Sequence, residues 1–262
     1  VGPIGVFDSG VGGLTVVRAL RRALPAESIL YLGDTARLPY GTKSEATVTR
    51  YTERNLEFLR QRGVKAVVVA CNTASALALP HLTPALPTWG VVEPGAARAV
   101  AASPTGRIGV LATESTVLSD AYAQAVRRLR PDAEVFSQPC PLFVPLVEEG
   151  WLDGTVVELI AERYLEPVRR SGVDTVILGC THYPLLTPVL SHLLGPQVQL
   201  VDSAESVAEQ VVAALAAGHL AERSTGTPPE HHFCVTDLGD RFSRVARTFL
   251  GDGEVSLELV EV

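Results

Sequence analysis

Short uninterrupted apolar runs alternate along the chain with longer segments of helical periodicity. The runs, rich in Val, Ile and Leu, predict buried strands at 3–7, 28–32, 66–70, 88–92, 107–111, 174–178, 198–201 and 232–235. The stretch from Leu14 through Val17 to Leu24 exemplifies the helical spacing between them. Strands apolar on both faces and separated by helices predict parallel sheets in an α/β protein.

The pattern also repeats. Ile4-Gly-Val-Phe-Asp-Ser-Gly is echoed by Ile108-Gly-Val-Leu-Ala-Thr-Glu, and Val67-Val-Val-Ala-Cys-Asn-Thr by Val176-Ile-Leu-Gly-Cys-Thr-His, at nearly the same offset. Two similar domains with mainly parallel sheets flanked by helices are therefore expected, with the active site in the cleft between them. The expected division gives residues 1–94 plus 205–262 to the first domain and 95–204 to the second. Glu93-Pro94-Gly95 marks the crossing, and Asp202-Ser203-Ala204-Glu205, a helix start, marks the return. Residues 221–230 read as a loop before a final strand–helix–strand piece.

Composition narrows the function. The chain of 262 residues is 47% hydrophobic and 19% charged, so it is globular, and its net charge of −7 disfavours nucleic acid or an anionic membrane as partner. The first residues run straight into a strand, so no signal peptide is expected, and no apolar run is long enough to span a bilayer. A cytoplasmic protein is expected, with its four cysteines as free thiols in no metal-ligand spacing. His81, His192, His219, His231 and His232 form no metal-ligand spacing either, so no metal is expected.

Two cysteines stand where chemistry is plausible. Cys71 lies at a strand-to-helix turn, where helix N–H groups stabilise a thiolate or bind a carboxylate, and Asn72 and Thr73 add donors. Cys180 ends the second such strand. Pro184 suits a helix's first turn, and His182 stands near enough in sequence to hold a proton by the thiol. Either cysteine alone reads as an ordinary buried thiol; the matched pair reads as functional. Cys140 and Cys234 read as structural.

Asp8-Ser9-Gly10-Val11-Gly12-Gly13 is a glycine-rich turn that is not a nucleotide loop. Asp8 suits an ammonium or a neighbouring thiol, and Ser9 either a carboxylate or a helix cap. Pro39-Tyr40-Gly41 predicts a tight turn able to bind an anion, and Arg37 a carboxylate partner or a surface residue. Glu148 and Glu149 divide between an acid–base assistant and a solvated helix end. Thr113, Ser115 and Thr116 either extend the hydroxyl lining or cap a helix.

Taken together, DSGVGGLTV, YLGDTARLPYG, ACNTASA, PLVEEG and GCTHYP resemble the glutamate racemases, within the cofactor-independent aspartate/glutamate racemase family, from Ile4 to about residue 210. The segment Thr236–Asp240 departs from that pattern. The resemblance implies that Cys71 and Cys180 are two opposed bases that invert the α-carbon of glutamate, Cys180 abstracting from the L enantiomer. It implies a substrate-binding set of Asp8, Ser9, Tyr40, Gly41, Asn72, Thr73, Thr181 and His182, with Glu148 the favoured acid. It also implies a supply of D-glutamate for peptidoglycan. No cofactor is expected: the chain has two lysines, Lys43 and Lys65, neither in a cofactor-binding turn. A homodimer is left open. The rival readings are an aspartate racemase, a Cys–His hydrolase, and a non-catalytic amino-acid-binding or topoisomerase-inhibiting protein.

Overall fold

The computed structural model describes residues 2–221, 228–238, 245–246, 249–250 and 256–262. Most of the expected 221–230 loop, and Gly239 and Asp240 of the divergent segment, lie outside these residues. The first part of the chain runs β1 (Ile4–Asp8), α1 (Leu14–Ala23), β2 (Ile29–Gly33), α2 (Glu45–Gln61), β3 (Ala66–Val69), α3 (Asn72–Leu77) and β4 (Thr88–Gly90). Next come α4 (Val92–Ala102), β5 (Arg107–Ala112), α5 (Glu114–Leu118), α6 (Ala121–Leu129), β6 (Glu134–Pro139) and α7 (Phe143–Glu148). The chain continues through α8 (Thr155–Arg170), β7 (Thr175–Gly179), α9 (Thr187–Leu194), β8 (Gln199–Asp202), α10 (Ser203–Ala216), β9 (His231–Val235) and β10 (Leu257–Leu259).

The strands form a six-stranded sheet, β10-β9-β2-β1-β3-β4, and a four-stranded sheet, β6-β5-β7-β8, with every neighbouring pair parallel. The echo in the sequence is an echo in topology. The order β2-β1-β3-β4 repeats as β6-β5-β7-β8, with the two similar segments on β1 and β5 and the two cysteines after β3 and β7. β1, β2 and β7 are buried at every position, as expected of strands covered on both faces. The long helices α2 and α8 bury one face each. In α2 the buried positions are Val48, Thr52, Asn55 and Leu59; in α8 they are Val157, Ala161, Leu165 and Val168.

Glu93-Pro94-Gly95, expected as a crossing, is the first turn of α4. Proline is tolerated there because first-turn N–H groups have no intrahelical acceptor. The helix start expected at Asp202 is the start of α10, with the Asp202 side chain accepting from the Ala204 N–H at 2.8 Å.

Candidate active site

Parallel strands deliver the turns that follow them to one edge of the sheet. The turns after β1, β3, β5 and β7 meet at a cleft of about 420 Å³ whose walls include Ser9, Cys71, Thr113 and Cys180. Pro39, Tyr40, Gly41, Asn72, Thr73, Glu148, Glu149, Thr181 and His182 complete the sequence-derived part of the lining. Asp8 and Thr116 are buried behind it. A wider groove of about 680 Å³ beside Trp89 and Arg128 contains neither thiol.

Cys71 is the N-cap of α3. Its sulfur accepts from the Ala74 N–H at 3.4 Å and lies 3.4 Å from Ser9 Oγ. Burial pushes the thiol up and the Asp8 carboxylate pushes it further; Ser9 and Ala74 offset only part, leaving it at about 12. Asp8 itself accepts from the Gly10 N–H at 3.0 Å and from the Thr181 hydroxyl at 3.5 Å. Burial raises its pKa against the opposing pull of His182 and the backbone N–H groups of Gly13, Gly10 and Ser9.

Cys180 has a different neighbour. Its sulfur lies 3.9 Å from Nδ1 of His182, whose Nε2 lies 3.2 Å from Glu148 Oε1. The Phe249 ring stands edge-on to the imidazole with centroids 5.5 Å apart. Burial lowers the imidazole pKa, but Cys180 and Glu148 outweigh it and hold it at about 10, so it is an imidazolium at neutral pH. Pro184, expected in a helix's first turn, sits in a 3-10 turn, Tyr183–Leu186. The α-helix starts only at Thr187, where Pro188 suits its first turn.

Hydroxyls join the two sides. Thr73 Oγ1, after β3, lies 3.0 Å from Thr113 Oγ1 and 3.2 Å from Thr116 Oγ1, and those two are 2.9 Å apart. Ser115 Oγ donates to the Gly41 carbonyl at 2.7 Å. Gly41 must be small, because a Cβ would lie 2.9 Å from that of Thr113. The glycines of the turn that carries Ser9 into the cleft also serve close packing. A Cβ on Gly12 would lie 2.2 Å from Thr181 Oγ1 and 2.5 Å from His182 Nδ1, and one on Gly13 would lie 2.4 Å from Asp8 Cβ.

Arg37 and Tyr40, from the segment after β2, both meet one buried carboxylate. Arg37 is absent from the cleft lining: its guanidinium pairs with buried Asp34 at 3.2 Å and bonds the Val262 carbonyl. A buried carboxylate demands partners, and Asp34 also takes the Tyr40 phenol, Asn55 Nδ2 at 3.4 Å and Thr236 Oγ1 at 2.9 Å. Tyr40 therefore spends its hydroxyl on Asp34 and contributes to the cleft through its turn. Sequence reasoning missed Asp34, Asn55, Phe249 and Tyr122, whose local patterns are those of ordinary core positions.

Fold and cleft together define a class: a paired α/β architecture in which two like sheets each send one thiol to a shared cleft. The family described as Asp/Glu/hydantoin racemase matches residues 4–211. A glutamate racemase of Geobacter metallireducens is 53% identical over 95% of this chain and 92% of that protein. One from Syntrophus aciditrophicus is 49% identical over 99% and 97%. The crystal structure of glutamate racemase from Francisella tularensis in complex with D-glutamate superposes with a TM-score of 0.92 at 38% identity, covering 99% of this chain and 97% of that one. The chain belongs to the Asp/Glu/hydantoin racemase family and is an isomerase.

Proposed function

We propose that this chain interconverts L- and D-glutamate by a two-base mechanism without a cofactor, and so supplies D-glutamate for peptidoglycan in the cytoplasm. The substrate assignment is supported by the glutamate racemases similar over nearly the whole chain, one of them in complex with D-glutamate. The mechanism rests above all on the paired thiols, which line one cleft from topologically equivalent strands. The two domains are residues 1–94 plus 205–262 and residues 95–204.

For L-glutamate, the Cys180 thiolate takes the α-proton, and the electron pair left on the α-carbon spreads into the carboxyl group. The Cys71 thiol delivers its proton to the opposite face. Afterwards Cys180 is the thiol and Cys71 the thiolate, ready for the D enantiomer. The Asp8 carboxylate favours the thiol at Cys71, and the imidazolium of His182 stands beside Cys180. Because the α-proton is far less acidic than a thiol, the charge developing on the substrate needs donors already in place. Asn72, Thr73 and Thr181 line the cleft for that role.

Incubation with L-glutamate in deuterated water tests this reading. D-glutamate carrying α-deuterium should appear, and both Cys71→Ala and Cys180→Ala should slow its formation by about 10⁴-fold. Inversion that survives either substitution would overturn the two-base mechanism. A folded, reduced chain that neither inverts glutamate nor exchanges its α-hydrogen would overturn the substrate.

A further inference from the structure

Tyr122 on α6 touches the residues beside both thiols. It is 2% exposed, and its phenol donates to Asn72 Oδ1 at 2.5 Å. Asn72 directly follows Cys71. The ring also stands against Gly179, which directly precedes Cys180: a Cβ there would lie 3.1 Å from Tyr122 Cε2. One rigid side chain thus spans the two thiol-bearing turns, and no feature of the local sequence marks it.

Its contact with Asn72 has a direction. Oδ1 takes the phenol proton, while Nδ2 is buried with no hydrogen-bond partner among the described residues. A buried N–H left unpaired costs free energy, which a ligand acceptor would recover. Asn72 lines the cleft, so the acceptor that fits is a substrate carboxylate. With the amide reversed, the same wall would present oxygen lone pairs to that anion.

We propose that Tyr122 is a positioning residue for substrate recognition: it fixes the Asn72 amide so that Nδ2 meets the carboxylate of the amino acid, and it holds the Cys180 turn in register with it. The proposal deepens the glutamate reading above and rests on it. Tyr122 acts through Asn72 and touches no reacting atom.

Tyr122→Phe removes one oxygen and keeps the ring. KM for both enantiomers should rise about tenfold while kcat changes less than about threefold. In an Asn72→Ala background the same substitution should have no further effect on KM. If the native chain fails to racemise glutamate, the functional reading fails first. If it racemises and Tyr122→Phe leaves KM unmoved, or its effect adds in full to that of Asn72→Ala, the positioning role is overturned. A measurement on the native chain does not depend on the variant folding. Asn55 and Asn72 are the two asparagines of the sequence, so nitrogen-15 asparagine labelling gives two side-chain amides. D-glutamate should shift the Asn72 pair much more than the Asn55 pair; an unmoved Asn72 pair would also overturn the proposal.

Discussion

The turns at Cys71 and Cys180 occupy equivalent places in two sheets of the same strand order, yet their electrostatic surroundings are opposite. Cys71 caps a helix and faces a buried carboxylate, and its thiol is pushed up to about 12. Cys180 runs into a 3-10 turn and faces an imidazole held at about 10 by that thiol and by Glu148. Duplicated topology brings two like groups to one cleft. The residues around each group then set the charge it faces.

Neutralising the two charges should break the contrast most severely. Asp8→Asn removes the carboxylate beside Cys71, and His182→Asn removes the imidazolium beside Cys180. Each should lower kcat/KM by about 10²-fold. The enantiomers have equal free energies, so kcat/KM must fall equally in both directions, and the asymmetry should appear in kcat. His182→Asn should slow L-to-D turnover more, and Asp8→Asn D-to-L turnover more. Steady-state kinetics in both directions would decide; the same direction slowed more in both variants would end the idea of opposed roles.

Packing offers a second way to separate the two sides. Gly12→Ala places a methyl 2.2 Å from Thr181 Oγ1 and 2.5 Å from His182 Nδ1, whereas Gly13→Ala places one 2.4 Å from Asp8 Cβ. Each should cost about 1–3 kcal/mol of stability, readable as a lower melting temperature. The first should also carry the kinetic signature of His182→Asn and the second that of Asp8→Asn. Native-like melting in both variants would show that the close approach is dispensable.

A smaller effect should appear with pH. The His182 pKa rises from its ordinary 6.5 to about 10 in the folded chain, so holding this proton stabilises the fold. That contribution is complete below about 6.5, declines as pH rises and is gone above about 10. The melting temperature should therefore fall across this window by about 5 °C, and His182→Asn should flatten the slope. A variant with an unchanged slope would assign it to another group.

Much of the frame was legible in the chain. The eight strands expected with bounds all form, and those buried on both faces, such as β1, β2 and β7, advertise themselves as unbroken apolar runs. β6, at a sheet edge and mostly half-buried, was missed, and β10 was expected only as the unbounded last strand of the final strand–helix–strand piece. β6 carries mixed residues, so its pattern is weak. Of the site, both thiols were legible, since each stands in a turn that follows an apolar strand, and so was most of the lining.

The sequence by itself determined parallel α/β architecture, its internal repetition and the two thiol-bearing turns, because these follow from short-range periodicity and from residues adjacent in the chain. Tertiary structure decided which charge each thiol meets, why Arg37 turns away to Asp34, and how Tyr122 reaches Asn72. Contacts such as Asp8 with Thr181 and Glu148 with His182 join residues remote in sequence. Such meetings depend on how the sheets and helices pack, and no local pattern encodes them.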